Sequence, residues 1–128
     1  MTGRKGRAAL PGTRCHIDID ADGTYSWRLI ATNGRVMAVA ATTYRDYAEC
    51  RAALERLSRE VADLPGAVHH TAEGSGWVWR LRDPGGGALA VSARAYERHS
   101  TCQAAYERFR SLLAELGAAG AIPWDDAG

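Results

Sequence analysis

A displaced copy of itself is the feature that most constrains this chain. Shifted by 52 residues, Trp27-Arg28-Leu29 falls on Trp79-Arg80-Leu81, Gly34 on Gly86 and Ala38-Val39 on Ala90-Val91. Tyr44 then falls on Tyr96, Cys50 on Cys102, and Glu55-Arg56 on Glu107-Arg108. The register needs no gap from Trp27 to Leu57. Such a fixed period marks a tandem duplication of a unit of about fifty residues. The 128 residues then hold two units. One unit alone is too small to bury its tryptophans, so the two are expected to share one core.

Each unit reads strand, strand, strand, helix. His16 to Asp20 alternates with Ile17 and Ile19 on one face, and Asp22-Gly23 signals a turn. Tyr25, Trp27 and Leu29 alternate with Ser26, Arg28 and Ile30 before Asn33-Gly34, a hairpin signal. A left-handed Gly34 in a three-residue loop pairs Leu29 with Met37 and Trp27 with Val39. That register collects the large apolar groups on one face, and in the second unit it pairs Leu81 with Leu89. Asp46 and Glu49 form a capping box before the stripe Cys50, Ala53, Leu54, Leu57, Val61 and Leu64. The second stripe is Cys102, Ala105, Phe109, Leu112, Leu113 and Leu116, with Ser100 and Gln103 as its expected cap and Gly117 as its expected stop. Ala121 to Trp124 falls where a last short strand belongs. The fold class expected is α+β: tandem β-β-β-α(-β) repeats forming one mainly antiparallel sheet, with two helices on one face and a pseudo-twofold axis. The repeats span 13–64 and 65–124. A basic tail, expected to be disordered, precedes them at 1–12, and residues 125–128 follow.

These motifs resemble the YegP-like family, a bacterial and archaeal family of domains of unknown function. The resemblance rests on Tyr25-Ser-Trp-Arg-Leu29, Asn33-Gly34, Tyr44 and the helix from Asp46, and again on Trp77-Val-Trp-Arg-Leu81, Tyr96 and the helix from Ser100. It covers about residues 13–124. It implies repeated β-β-β-α-β units in one sheet, with last strands exchanged between units. Members with a single repeat dimerise. The family carries no established catalytic residues to transfer. Pro84-Gly85-Gly86 replaces Asn-Gly in the second hairpin, Arg98 stands at the second cap, and the basic tail is extra.

Composition excludes several classes of function. With 16 basic against 15 acidic residues the net charge is +1, so the chain is not a globally basic nucleic-acid binder. Hydrophobic residues make up 46% of it, enough for a core. No apolar run approaches the ~20 residues of a membrane span, and the N-terminus has no apolar signal region. Cys15, Cys50 and Cys102 are an odd set without a secretory signal, which points to reduced thiols in the cytoplasm. Cys50 and Cys102 lie on the apolar stripes, where free cysteine serves as a small core residue.

Motifs that suggest chemistry are weak. Asp18-Ile-Asp20-Ala-Asp22-Gly23 matches the first half of a calcium loop, but Leu29 stands where the bidentate Glu belongs and the flanks are strands. Cys15-His16 and His69-His70 each place neighbours on opposite faces of a strand, so neither pair chelates a metal. Gly85-Gly86-Gly87 lacks the Lys of a phosphate loop. No nucleophile motif occurs, so no metal, cofactor or enzymatic activity is expected.

The open face of the sheet is more suggestive. If Trp27, Leu29, Trp79 and Leu81 face the helices, then Arg28, Arg80 and Arg82 face out, with Arg28 and Arg80 flanking the pseudo-twofold axis. Ser26, Ile30, Val78, Ala38, Ala90 and Ser92 are expected beside them. Such a face suits an acidic protein or small acidic ligand. Its aromatics are buried, unlike those of an RNA-binding sheet. The reading is a small non-enzymatic binding or interaction module, monomeric rather than an obligate oligomer. A rival reading is weak, salt-sensitive nucleic-acid binding by Arg4, Lys5, Arg7 and Arg14 of the tail. A third is an enzyme whose site assembles only in three dimensions.

Overall fold

The computed structural model describes residues 12–125. The first repeat contributes β1 (Arg14–Ile19), β2 (Tyr25–Ile30), β3 (Val36–Ala40) and α1 (Tyr47–Glu60), followed by a 3-10 turn at Val61–Asp63. The second contributes β4 (Gly66–His70), β5 (Trp77–Arg82), β6 (Ala88–Ser92) and α2 (His99–Ala119). The strands form one six-stranded sheet in the order β1-β2-β3-β6-β5-β4, every neighbouring pair antiparallel. The fold is α+β, with the two central strands meeting at the pseudo-twofold axis. There Val39 of β3 pairs with its own repeat counterpart, Val91 of β6.

Alternation decides which side each residue takes. Cys15, Ile17, Trp27, Leu29, Trp79 and Leu81 point to the helices and are buried. They meet Cys50, Leu54, Leu57 and Val61 from the first helical segment, and Cys102, Tyr106, Phe109 and Leu113 from α2. Burying each large side chain of this set contributes about 1.5–3 kcal/mol. The helices also touch each other closely. A Cβ on Gly117 would run into the main chain at Ser58, so glycine is needed there for helix contact. Gly117 does not stop α2. The helix continues to Ala119, and Gly120 closes it in the left-handed region at φ 76°.

Two local expectations are corrected. Leu29 pairs with Ala38, not Met37, and Leu81 pairs with Ala90, not Leu89. Gly34 and Gly86 do take positive φ, but each hairpin carries a further bulge after the turn, which leaves Met37 and Leu89 as the extra residues. The bulges thus set a small residue, alanine, opposite each leucine on the helix side. Ala38 and Ala90 are therefore fully buried on the helix side, and Ser92, paired with Ala38, joins them. The second correction concerns α2. It starts at His99 with Arg98 at the N-cap and no capping side chain, so Ser100 lies inside the helix.

The C-terminal segment crosses to the first repeat. Cys15 N–H donates to Pro123 O at 2.9 Å and Asp125 N–H to Cys15 O at 3.0 Å, a single parallel bridge at Trp124. The exchange of a last strand between repeats thus occurs within one chain.

Candidate functional site

The open face is ordered by one row of cross-strand partners. It runs His16, Arg28, Val39, Val91, Arg80, Ala67 across all six strands. Arg28 and Arg80 therefore flank the axis, with the Val39–Val91 pair as an apolar floor between them. At a strand spacing of ~4.8 Å their Cα atoms lie about 14 Å apart. Val39 and Val91 take the place expected for Ala38, Ala90 and Ser92, because the bulges reverse the facing of β3 and β6.

The two arginines are not equivalent. Arg28 Nε donates to Asp18 Oδ2 at 2.8 Å, and His16 Nε2 stands 3.4 Å from Asp18 Oδ1. An exposed pair of this kind contributes only about 0.2–1 kcal/mol to stability, but it occupies the guanidinium. His69 stands in β4 where Asp18 stands in β1. Arg80 is exposed and meets no carboxylate among the described residues. Arg82 Nη1 donates to Gly86 O at 3.1 Å in the adjoining turn. Alternation foretold the side on which these arginines lie. Sequence reasoning missed Asp18 as a partner; the signal for it is the Asp22-Gly23 turn, which sets Asp18 diagonally across from Arg28.

The other singled-out residues go elsewhere. Arg14 Nε donates to Asp125 Oδ2 at 2.9 Å, and His16 Nδ1 lies 2.8 Å from Asp125 Oδ1. Partial burial works to raise the Asp125 pKa, but hydrogen bonds and charge from His16 and Arg14 outweigh it and hold the carboxyl below its usual value. Arg4, Lys5 and Arg7 lie outside the described residues. Asp18, Asp20 and Asp22 do not converge. Asp18 faces Arg28, while Thr24 Oγ1 donates to Asp22 at 2.7 Å and to Asp20 at 3.2 Å, which holds the Asp22 pKa low. Among the described residues no three His, Cys, Asp or Glu side chains gather around one point.

All three thiols are free and buried. Burial, helped by Asp125, pushes Cys15 up to about 12, and burial with Glu49 pushes Cys50 up to about 11. Such thiols are poor nucleophiles. His69 and His70 separate as alternation requires; the His70 ring meets Trp77 at 3.8 Å between centroids, tilted by 47°. A groove of about 460 Å3 between α1 and the β5–β6 turn is lined by Trp27, Tyr44, Arg56, Glu60 and Asp83 among others. Burial raises the Tyr44 pKa, and the Trp27 indole N–H donates to the Tyr44 hydroxyl there.

The family described as Domain of unknown function (DUF1508) matches residues 20–65, within the first repeat. The solution structure of a UPF0339 protein from Shewanella oneidensis superposes with a TM-score of 0.66 at 13% identity, over 88% of this chain and 91% of that one. The solution structure of yegP from E. coli, described as a protein of unknown function, superposes with a TM-score of 0.64 at 10% identity, over 94% and 99%. The first repeat is similar to the DUF1508 family over residues 20–65, and the whole chain has the YegP-like fold that these two proteins share. Among curated proteins no match is found. The YegP-like scaffold accounts for the sheet and helices. At 10–13% identity it carries no information about Arg28, Arg80 or the charges around them. Among the described residues no helix is long and apolar enough to cross a membrane.

Proposed function

We propose that this YegP-like chain is a small non-enzymatic binding module, working in the cytoplasm, that takes an acidic ligand or acidic protein segment on the open face of its sheet. The observation that carries the reading is the inequality of Arg28 and Arg80. The first is occupied by Asp18 at 2.8 Å, and the second is exposed with no carboxylate beside it among the described residues. A free guanidinium is a two-pronged donor for carboxylate or phosphate. The Val39–Val91 floor suits an apolar body next to that acid, and Arg82 extends the basic side. Burial of the thiols supports a reducing compartment, since none of the three is paired.

The test is capture from the native host at low salt, with the wild type, Arg28→Ser, Arg80→Ser and a deletion of residues 1–14. Loss of one partner from Arg80→Ser, with retention by Arg28→Ser, is the expected result. Equal retention by both single variants removes the open face as the site. Loss of nucleic acid from the deletion alone transfers the function to the tail.

A further inference from the structure

The two outer edges of the sheet are built alike and finished differently. At β1 the outward main-chain groups of Cys15 are taken by Pro123 and Asp125. At β4, Arg82 N–H donates to Pro65 O at 2.8 Å and Thr71 N–H to Gly76 O at 2.8 Å. Antiparallel ladders alternate, so Ala67 and His69 share the inward bonds to β5, and Gly66, Val68 and His70 turn their N–H and C=O groups outward. Gly66 is the counterpart of Cys15, because each sits opposite the equivalent leucine, Leu81 and Leu29. Two repeats make two such seats, and among the described residues the segment after α2 fills only one.

A second observation falls at the same place. Tyr106 is 4% exposed, and its hydroxyl has no hydrogen-bond partner among the described residues. That hydroxyl lies against Gly66, where a Cβ would stand. An orphaned buried polar group beside an unpaired strand edge is what a missing strand leaves behind.

We infer that the β4 edge pairs with β4 of a second copy of this chain. The two strands run antiparallel about Val68, with Gly66 opposite His70 of the other copy, and two six-stranded sheets become one. Nothing between Pro65 and His70 is Lys, Arg, Asp or Glu, so two copies meet without like-charge repulsion. The devices that blunt natural edges are missing along it: no bulge interrupts β4 and no lysine guards it. A charged partner finds nothing on this strand to recognise. A second copy needs only the main-chain ladder. The contact is isologous, and it leaves the core of each copy complete, so each copy remains folded alone.

Sedimentation of the full chain over a wide concentration range, with amide hydrogen exchange in parallel, tests the pairing. The expected result is a concentration-dependent dimer in which the amides of Gly66, Val68 and His70 become protected as the dimer forms. Val68→Pro removes an outward N–H that β5 does not use, and it is expected to weaken the dimer by roughly tenfold or more. Circular dichroism reports whether that variant still folds. If it does not, the wild-type exchange data decide alone. A chain that stays monomeric at all concentrations overturns the inference, and so does a dimer in which those three amides still exchange freely.

Discussion

Trp27 and Trp79 occupy the same place in the two repeats, and their indole N–H groups end differently. Trp27 donates to Tyr44. Trp79 is buried with no partner for its N–H, and stacks on Phe109 at 4.5 Å between centroids. The contrast recurs at other equivalent positions. Arg28 has Asp18, and Arg80 has no carboxylate among the described residues. Asp46 caps α1 through Glu49 N–H at 2.7 Å, and Arg98 gives α2 no side-chain cap. The β1 edge is partly covered, and the β4 edge has no outer partner among the described residues. The unpartnered buried atoms recorded among the described residues, His69 Nε2, Trp79 Nε1 and Tyr106 Oη, all lie in the second repeat. The first copy's buried polar groups find partners, some of them from the C-terminal segment, while the second keeps buried polar groups with no partner among the described residues. A duplication allows that division, because the satisfied copy can hold the fold while the other tolerates cost.

The largest expected effect breaks the equivalence at Gly66. Its counterpart is Cys15, but here Tyr106 fills the space where Leu54 stands in the first repeat. Gly66→Ala forces methyl against hydroxyl and is expected to cost about 1–3 kcal/mol or more. Gly66→Ala combined with Tyr106→Leu restores the first repeat's solution. The double variant is expected to recover part of that loss, which urea unfolding of the full cycle reads as a positive coupling. Additive effects would mean that the two repeats pack by different rules at this point.

The next pair sharpens the contrast in polar satisfaction. Tyr44→Phe removes the acceptor for Trp27 and leaves a second buried indole N–H orphaned. It is expected to destabilise by about 1–3 kcal/mol. Tyr106→Phe deletes a hydroxyl that has no partner. It is expected to be neutral or to stabilise by about 1 kcal/mol. The same chemical change thus acts in opposite directions in the two repeats, and thermal unfolding of both variants checks the sign. The caps give a smaller version. Asp46→Ala is expected to cost about 1 kcal/mol, and Arg98→Asp to gain somewhat less than that by supplying the cap that α2 lacks.

Self-similarity made most of the architecture legible. The 52-residue shift carries β2, β3 and the helix starts onto β5, β6 and α2 without error. It also placed Arg98 at the α2 N-cap, so the local Ser100 signal was outranked by the repeat itself. The hairpin register was not legible. A bulge at Met37 or Leu89 changes which residues of the strand face the helices, and periodicity along one strand does not hold that information. The arginines of the open face were legible in direction, but not in which of them is paired. Asp18 lies close in sequence to Arg28, but the Asp125 clamp on Arg14 and His16 joins residues more than a hundred positions apart.

The smallest effect tests the covered edge itself. Asp125 is held below its usual carboxyl value by His16 and Arg14, and it anchors the C-terminal segment over Cys15. A carboxyl whose folded value is lowered adds stability above its unfolded value, near 3.8, and that stability is lost as pH falls through the lowered folded value. Acidification from about pH 5 to about pH 2 is therefore expected to release the segment, with Trp124 leaving Arg51 and the amides of Cys15 and Asp125 losing protection. Asp125→Asn should remove that acid step and cost about 0.2–1 kcal/mol at neutral pH, because the pairs are exposed to solvent. The amide of Gly66, on the uncovered edge, should show no step over the same range. If Cys15 and Gly66 lose protection together, the acid transition is a property of the whole sheet, and the difference between its two edges does not depend on Asp125.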